Sequence, residues 1–588
     1  MKYKLRDNFR TDENAIYDIL RNRGIQDVEK YIHPTKEQEN NPYDLENIEA
    51  AADMLIKHLK NNNSICIVVD ADNDGVCSAA MLWNYIKTIF PNSDLNYVMH
   101  EGKAHGLEDK IDWFIDDTQY DLIICPDAAS YDVKYFWRLF EINTEVIALD
   151  HHTQMYDTDG KPIINDCPTA IVVNNQLSPK YKNKDFCGAG ITYRFCNVLD
   201  DKFNINISHN FVDLAAVGNI GDVMYQGDPE TRFVIKDGLA HIQNEGLKTM
   251  IKAQSYSLKE RADPPYSLTP IDVAFYISPL INAVIRVGTM DEKHVLFTAF
   301  IDPNFPFPST KRGAKSGDIE LAKDQAARIS KNIKSRQDKI KERALDLIKF
   351  RIEKDNLSEN NLIIVEIYPE DNIPNEISGL IAQNIVSEYN KPCFIVRRNS
   401  KNILSGSLRN NGNFKDLPEL KSVLEKTGLF EMLAGHENAA GVSIAANRVP
   451  SLLQFMNNNF GADAFDNCYL VDYILDGRND NISLLWQLAE CSDYYGNGID
   501  EPKFIIKNIP LNNMLVMGEN KDCVKISYKG IDYVKFKNTD FIDDLRAHRL
   551  QLLTVYGRAA LNTYMGHTSI QLLIDDYELE EDNSKYEF

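Results

Sequence analysis

The chain has 588 residues, 44% of them hydrophobic and 26% charged, with 64 Lys and Arg against 87 Asp and Glu for a net charge of −23. That content excludes a disordered chain and a single small module, and sets an expectation of roughly three to five domains at about 100–200 residues each. No stretch approaches the ~20 uncharged apolar residues of a membrane span, and the opening MKYKLRDNFRTDENAIYDIL lacks the apolar core of a signal peptide, so a cytoplasmic protein with no membrane partner is expected.

From Ile48 to about Asn204, short apolar runs alternate with amphipathic stretches: ICIVVD, AAMLWNYIKTIF, DLIICPD, VKYFWRLFEI and VIALDHH. This βαβ alternation predicts a parallel sheet covered by helices, with ligands bound where strands end. Asp70, Asp127 and Asp150 stand at those ends. Ten cysteines run from Cys66 to Cys523 without a CxxC pair, several inside apolar runs, and read as reduced core thiols. Any metal should therefore be held by carboxylate and imidazole.

The sharpest feature is VVDADNDGVCSAA, an apolar strand running into Asp70, Asp72 and Asp74. Clustered carboxylates repel one another and lose solvation on burial, at a cost of several kcal/mol unless a cation compensates. An acidic turn capping the following helix is the structural alternative; a calcium loop fails for want of a Glu at its twelfth position. LIICPDAAS adds Asp127 before small residues, VIALDHHTQ adds Asp150, His151 and His152, and AAVGNIGDVM adds Asp222 at the end of an apolar helix. Six carboxylates and two imidazoles suit Mn²⁺ or Mg²⁺ better than zinc. Two ions about 3.5–4 Å apart, bridged by a carboxylate such as Asp127, would activate water and clamp a phosphoryl oxygen.

From Lys311 to Asp355 the charge reverses, with 14 Lys or Arg against 8 Asp or Glu, and from Asp318 to Asp355 there is neither Gly nor Pro. The spacing predicts one helix of about 57 Å. It reads as an amphipathic connector whose basic face could also line a polyanion path. NLIIVEI, a helix over Ser378–Tyr389 and PCFIVRR predict a second α/β unit. From about Cys468, PKFIIKNI, CVKISYKG, VKFKN, LQLLTVYG and TSIQLLI predict a small β-barrel, and the acidic run after Ile574 a solvated end. High Asn, Lys, Ile and Tyr usage points to an AT-rich genome, that of a phage or a low-GC bacterium.

In this order, DxDxDG, a strand-end Asp, DHH and a late Asp after GNIGD resemble the DHH phosphoesterases. The longer pattern is similar to RecJ-type single-stranded-DNA exonucleases: ILRNRGIQDVEKYIHP, NPYDLENIEAAADML, CGAGITYRF, ISPLINAVIRVG, EISGLIAQNIVSEYNKPCFIV, SGSLR, LAGHENAAGVSI and YYGNGIDEPKF cover nearly the whole chain. The resemblance implies an α/β fold of a lead-in (1–45), a DHH catalytic domain (46–310), a connecting helix (311–358), a smaller α/β DHHA1 domain (359–462) and an OB-fold-like domain with acidic tail (463–588).

It further implies Asp70, Asp72, Asp74, Asp127, His151 and Asp222 as ligands of two divalent ions, with Asp150 and His152 supporting them and meeting phosphate. His105, Asn282, Arg286, Ser407, Arg409 and His436 would hold substrate, and Arg286 and His436 with Asp150 and His152 would serve catalysis. The implied activity is metal-dependent hydrolysis of single-stranded DNA from the 5′ end to mononucleotides, the strand threading between the DHH and DHHA1 domains. Implied partners are single-stranded DNA and a single-stranded-DNA-binding protein or helicase, with a monomer as the default. A DHH-family oligonucleotide or cyclic-dinucleotide phosphodiesterase and a non-catalytic replication scaffold are the alternatives. Departures from the family pattern are Ala434 for a Gly before His436, Ile285 for Gly, Ala128 and Ala129 after Asp127, and His100 near a usual Arg.

Overall fold

The computed structural model describes residues 1–6, 14–102, 104–156, 160–511, 513–518, 520–536, 538–547, 551–564 and 566–581. They form two units, residues 27–337 with 493–499, and residues 1–26 with 338–492 and 500–588.

In the unit of residues 27–337, five parallel strands lie in the order Leu95–Met99, Ile65–Val69, Leu122–Pro126, Glu145–Asp150, Ala170–Asn174. The predicted parallel sheet is present, and its alternating side chains serve two cores. Ile65, Ile67, Val69, Ile124 and Leu149 face the helices Asn73–Ile89, Gly188–Phe203 and Val212–Gly221. Cys66, Val68, Ile123, Cys125 and Ala148 face Ile111, Phe114 and Phe136. Both sheet faces are covered at its centre, so the strands Ile65–Val69 and Leu122–Pro126 read as unbroken apolar runs. All ten cysteines are free; Cys468 and Cys491 are half-buried and the rest buried. The run Pro270–Val287 is long and apolar enough to cross a membrane by length and composition, and over half of it is buried within this unit, as in a core helix.

The connecting helix spans Ala322–Lys354, about 50 Å, shorter than expected. Ile319–Leu321 instead pairs antiparallel with Pro306–Pro308, because buried Glu320 is drawn to Arg328 at 2.7 Å and Lys311 at 3.3 Å. Of the basic strip, Arg328, Arg336, Lys349 and Arg351 are each engaged by a carboxylate.

The second unit holds a five-stranded sheet ordered Phe430–His436, Ala439–Ala445, Ile403–Arg409, Cys393–Arg398, Ile363–Glu366, with the helix Ser378–Tyr389 against it. It also holds a seven-stranded, mostly antiparallel sheet ordered Tyr473–Asp476, Phe504–Pro510, Gln551–Tyr564, His567–Glu581, Ile531–Lys535, Cys523–Tyr528, Met514–Met517. This is the anticipated C-terminal β domain. Strand Lys2–Leu5 pairs in parallel with Cys468–Val471, and buried Arg23 grips Asp472 through both guanidinium nitrogens at 2.8 and 2.9 Å. Over its described part the acidic run is not free: residues 575–581 continue a strand paired with Gln551–Tyr564, held by Lys503 on Asp575, Tyr469 on Asp576 and the Phe541 ring on Tyr577. Expectations for residues 7–13 of the lead-in and 582–588 of the tail fall outside the described residues.

Candidate metal centre

The strand Ile65–Val69 delivers Asp70 to the sheet edge, buried. Two residues on, Asp72 caps the helix Asn73–Ile89, its Oδ1 accepting from the Asp74 and Gly75 amides at 2.9 and 3.1 Å. The capping alternative is therefore realised by Asp72 alone. A Cβ at Gly75 would stand 2.5 Å from the Asp70 Cβ, so the turn accepts only glycine.

Asp74 reaches the start of Gly188–Phe203, accepting from the amides of Gly188 at 2.7 Å and Ala189 at 3.0 Å and from the Cys187 thiol at 3.0 Å. Its Oδ2 carries only one of these bonds and keeps a lone pair for another partner.

Asp127 follows the strand Leu122–Pro126 in the left-handed region, φ 69°, and Ala129 repeats it at φ 78°. The alanine thus bears the strain that a glycine would not. Asp127 Oδ1 is buried without a hydrogen-bond partner, 3.2 Å from His151 Nε2. Gly188 makes room for it, since a Cβ there would lie 2.4 Å from the Asp127 Cβ. His151 Nε2 also lies 3.4 Å from Asp222 Oδ2, carried on the end of the helix Val212–Gly221.

Ligand-capable atoms of Asp70, Asp72 and Asp127, of Asp74, His151 and Asp222, and of Asp127, His151 and His152 lie within 4.8 Å inside each group. The four sequence motifs thus meet at one place. Asp150 stands behind them, its Oδ1 accepting from the His151 and His152 amides and 2.7 Å from His152 Nδ1, its Oδ2 accepting from Ser130 N at 2.9 Å.

The charges are in conflict. Burial, then Asp74, Asp72 and Asp70, push the Asp127 carboxyl well above the usual range. Burial, then Asp74 and Asp72, raise Asp222 to about 8, and burial raises Asp74. Burial and the neighbouring His152 keep His151 toward its neutral form. Asp150 raises His152 to about 10; in return, against the upward push of burial, His152 holds Asp150 well below the usual range. A buried carboxylate oxygen without a hydrogen bond, beside three like-charged neighbours and with only a near-neutral imidazole at 3.2 Å, is costly, and a cation removes both penalties. The oxygen-rich set with one neutral imidazole fits a divalent ion of the Mn²⁺ or Mg²⁺ kind.

Around this cluster, His105 Nδ1 lies 2.6 Å from Asp70 Oδ2. Asn282 accepts the Asn73 amide at 3.1 Å, and Arg286 has a buried Nε without a hydrogen-bond partner. Burial lowers the Arg286 guanidinium and the charge of Asp72 works against that. Sequence reasoning missed the amides of Gly188 and Ala189 and the pair His100–Asp109, 2.6 Å apart behind Asp70. The CGAG segment was the only signal for the former.

In the second unit, Arg409 and His436 are both in register with Ala439, and Ser407 is in register with Gly441 beside Ala434. Gly379 lets the Arg409 guanidinium rest against the start of Ser378–Tyr389; a Cβ there would stand 2.5 Å from Nη2.

The description "DHH family, N-terminal domain" matches residues 64–219, and "RecJ OB domain" matches residues 471–576. A Bacillus subtilis protein, provisionally named SPbeta prophage-derived single-strand DNA-specific exonuclease YorK, is 35% identical over 99% of this chain and 98% of its own length. The chain belongs to the RecJ family. The B. subtilis single-stranded-DNA-specific exonuclease RecJ is 22% identical over 96% of this chain and 68% of its own. The crystal structure of Thermus thermophilus RecJ in complex with Mn²⁺ matches with a TM-score of 0.68 at 20% identity, covering 95% of this chain and 75% of that one, and shows a common fold. Of the departures from the RecJ pattern, Ile285 is buried in the core, where its side chain fills space that a glycine leaves open.

Proposed function

We propose that this RecJ-family chain is a metal-dependent exonuclease that hydrolyses single-stranded DNA from the 5′ end to mononucleotides. The observation that carries the reading is the buried, unpartnered Asp127 Oδ1 at the centre of four converging acidic motifs. The activity for which the YorK and RecJ relatives are named, single-strand-DNA-specific exonuclease, supports the substrate class.

Asp70, Asp72, Asp74, Asp127, His151 and Asp222 would hold two divalent ions, Mn²⁺ or Mg²⁺, which when bound acidify water and neutralise charge on a phosphoryl group. Asp150 keeps His152 protonated at neutral pH and aimed by its Nδ1, so the half-exposed ring presents a cation to a phosphate oxygen. The Arg286 fork offers an unspent donor for another oxygen, and Asn282 fixes the Asn73 turn between Asp72 and Asp74. His105 steadies Asp70. Ser407, Arg409 and His436 hold phosphates of the strand on the second unit's sheet, and the C-terminal OB-like domain, within 463–588, offers a further surface for it.

Linear and circular single-stranded DNA test this, with Mn²⁺ and with EDTA. The linear strand should fall to mononucleotides only with the ion, while the circle stays whole. Cutting of the circle, or EDTA-resistant cleavage, would overturn the reading.

A further inference from the structure

The run Pro270–Val287 carries a feature that the metal centre does not use. After one turn at Pro270–Asp272 it widens into a π-helical turn at Val273–Ile277 and resumes as α-helix from Ser278. Such insertions are rare and recur at functional sites. This one turns aromatic side chains outward: Phe275 is 71% exposed and Tyr276 36%. The turn is braced, since Gln254 Nε2 donates to the Tyr276 carbonyl at 3.2 Å, Arg261 holds Asp272 at 2.8 Å, and Thr269 and Asp272 cap one another.

Beyond it, Pro279, Asn282 and Arg286 are the half-buried positions among buried Leu280, Ile281, Ala283, Val284 and Ile285. The steps from Phe275 are four, three and four residues, the spacing of a single helical stripe. That stripe ends on the acidic loop, where Asn282 accepts the Asn73 amide and Arg286 feels Asp72. Phe275 therefore stands about 10 Å along the helix from Asn282, a span of roughly three stacked nucleotides at 3.4 Å each. Isolated exposed apolar residues are ordinary. A braced π turn that holds a phenyl ring outward, on the stripe leading to Asn282 and Arg286 at the acidic loop, is not.

We propose that Phe275, with Tyr276 beside it, is a stacking platform for a nucleobase of the single-stranded substrate, about three nucleotides from the phosphate under attack. The proposal rests on the nuclease reading above and extends it to a base subsite. An aromatic face accepts any base, so the platform grips an unpaired strand without reading its sequence. A duplex, whose bases are already stacked on one another, offers it no free face.

The test is steady-state cleavage, in Mn²⁺, of a 20-mer and of the same 20-mer made abasic at the third to fifth nucleotides from the attacked end. Wild type, Phe275→Ala and Phe275→Trp are compared. On the intact strand Phe275→Ala should raise KM roughly 5- to 150-fold at unchanged kcat. Phe275→Trp should keep the wild-type KM. On the abasic strand the alanine variant should match wild type, because the stacking partner is already gone. An unchanged KM on the intact strand, or an equal loss on both strands, would overturn the platform; the latter would mark a distorted Asn282–Arg286 helix. If wild type cleaves neither strand, the nuclease reading falls, and the platform with it.

Discussion

Asp222→Asn separates the cost of the acidic cluster from its use. In the metal-free protein the Asp222 carboxyl is raised from 3.8 to about 8 by burial and by Asp74 and Asp72. The native state therefore binds its proton more tightly than the unfolded chain does. The penalty is absent below about pH 4, grows as pH rises, and levels off above about 8, at roughly 5 kcal/mol if four pH units are converted at 1.36 kcal/mol each. The side chain is 30% exposed, so solvent screening trims this to about 2–4 kcal/mol. The isosteric amide carries no charge to suppress and leaves His151, held toward neutrality, without a charged partner to lose. In EDTA at pH 8 the variant should unfold at higher urea or temperature than wild type, and at pH 5 the gain should shrink below half. In Mn²⁺ the order should reverse, since wild type gains a ligand that the variant lacks. A variant less stable than wild type in EDTA at pH 8, or an equal difference at both pH values, would refute the electrostatic account.

The same raised carboxyls of Asp127 and Asp222 make metal uptake proton-linked. Mn²⁺ affinity should climb with pH between about 6 and 8, approaching tenfold per unit for each proton displaced, as read by calorimetry in buffers of different ionisation heat. Gly188→Ala places a methyl group on the Asp127 side chain, so it should weaken Mn²⁺ binding at least tenfold while far-ultraviolet circular dichroism stays unchanged. Arg23→Ala takes from buried Asp472 its two-pronged guanidinium partner, leaving the Lys503 amide at 2.9 Å and Arg6 at 3.9 Å, and should cost about 3–5 kcal/mol in unfolding of the second unit with Mn²⁺ affinity unaltered.

What was legible in the sequence follows from local chemistry. ICIVVD, LIICPD and VIALDHH declared themselves because each apolar run ends in a group that needs a partner. The neighbouring strands Leu95–Met99 and Ala170–Asn174 in the same sheet carry no such marker and passed unnoticed. The carboxylates of the centre could be named, but not that Asp74 spends much of its capacity on the amides of Gly188 and Ala189, because backbone donors have no letter in a sequence. Composition misjudged the acidic run: six of its residues, Asp576 to Glu581, pair edge to edge with Gln551–Tyr564, and Asp575 and Asp576 meet Lys503 and Tyr469, partners 72 and 107 residues distant. The connecting helix began four residues late for a related reason, since Glu320 answers to Arg328 and Lys311 across a turn that helical periodicity does not encode.

The central claim is that the cluster around Asp127 runs the hydrolysis of a single strand from its 5′ end. Degradation of 5′-labelled and 3′-labelled oligonucleotides, single-stranded and duplex, with Mn²⁺ or EDTA, by wild type and Asp127→Ala, tests it most directly. Immediate release of labelled mononucleotide from the 5′-labelled single strand alone, abolished by EDTA and reduced at least a thousandfold by the substitution, is the predicted result. Early loss of the 3′ label, or cleavage that survives in folded Asp127→Ala, would contradict it.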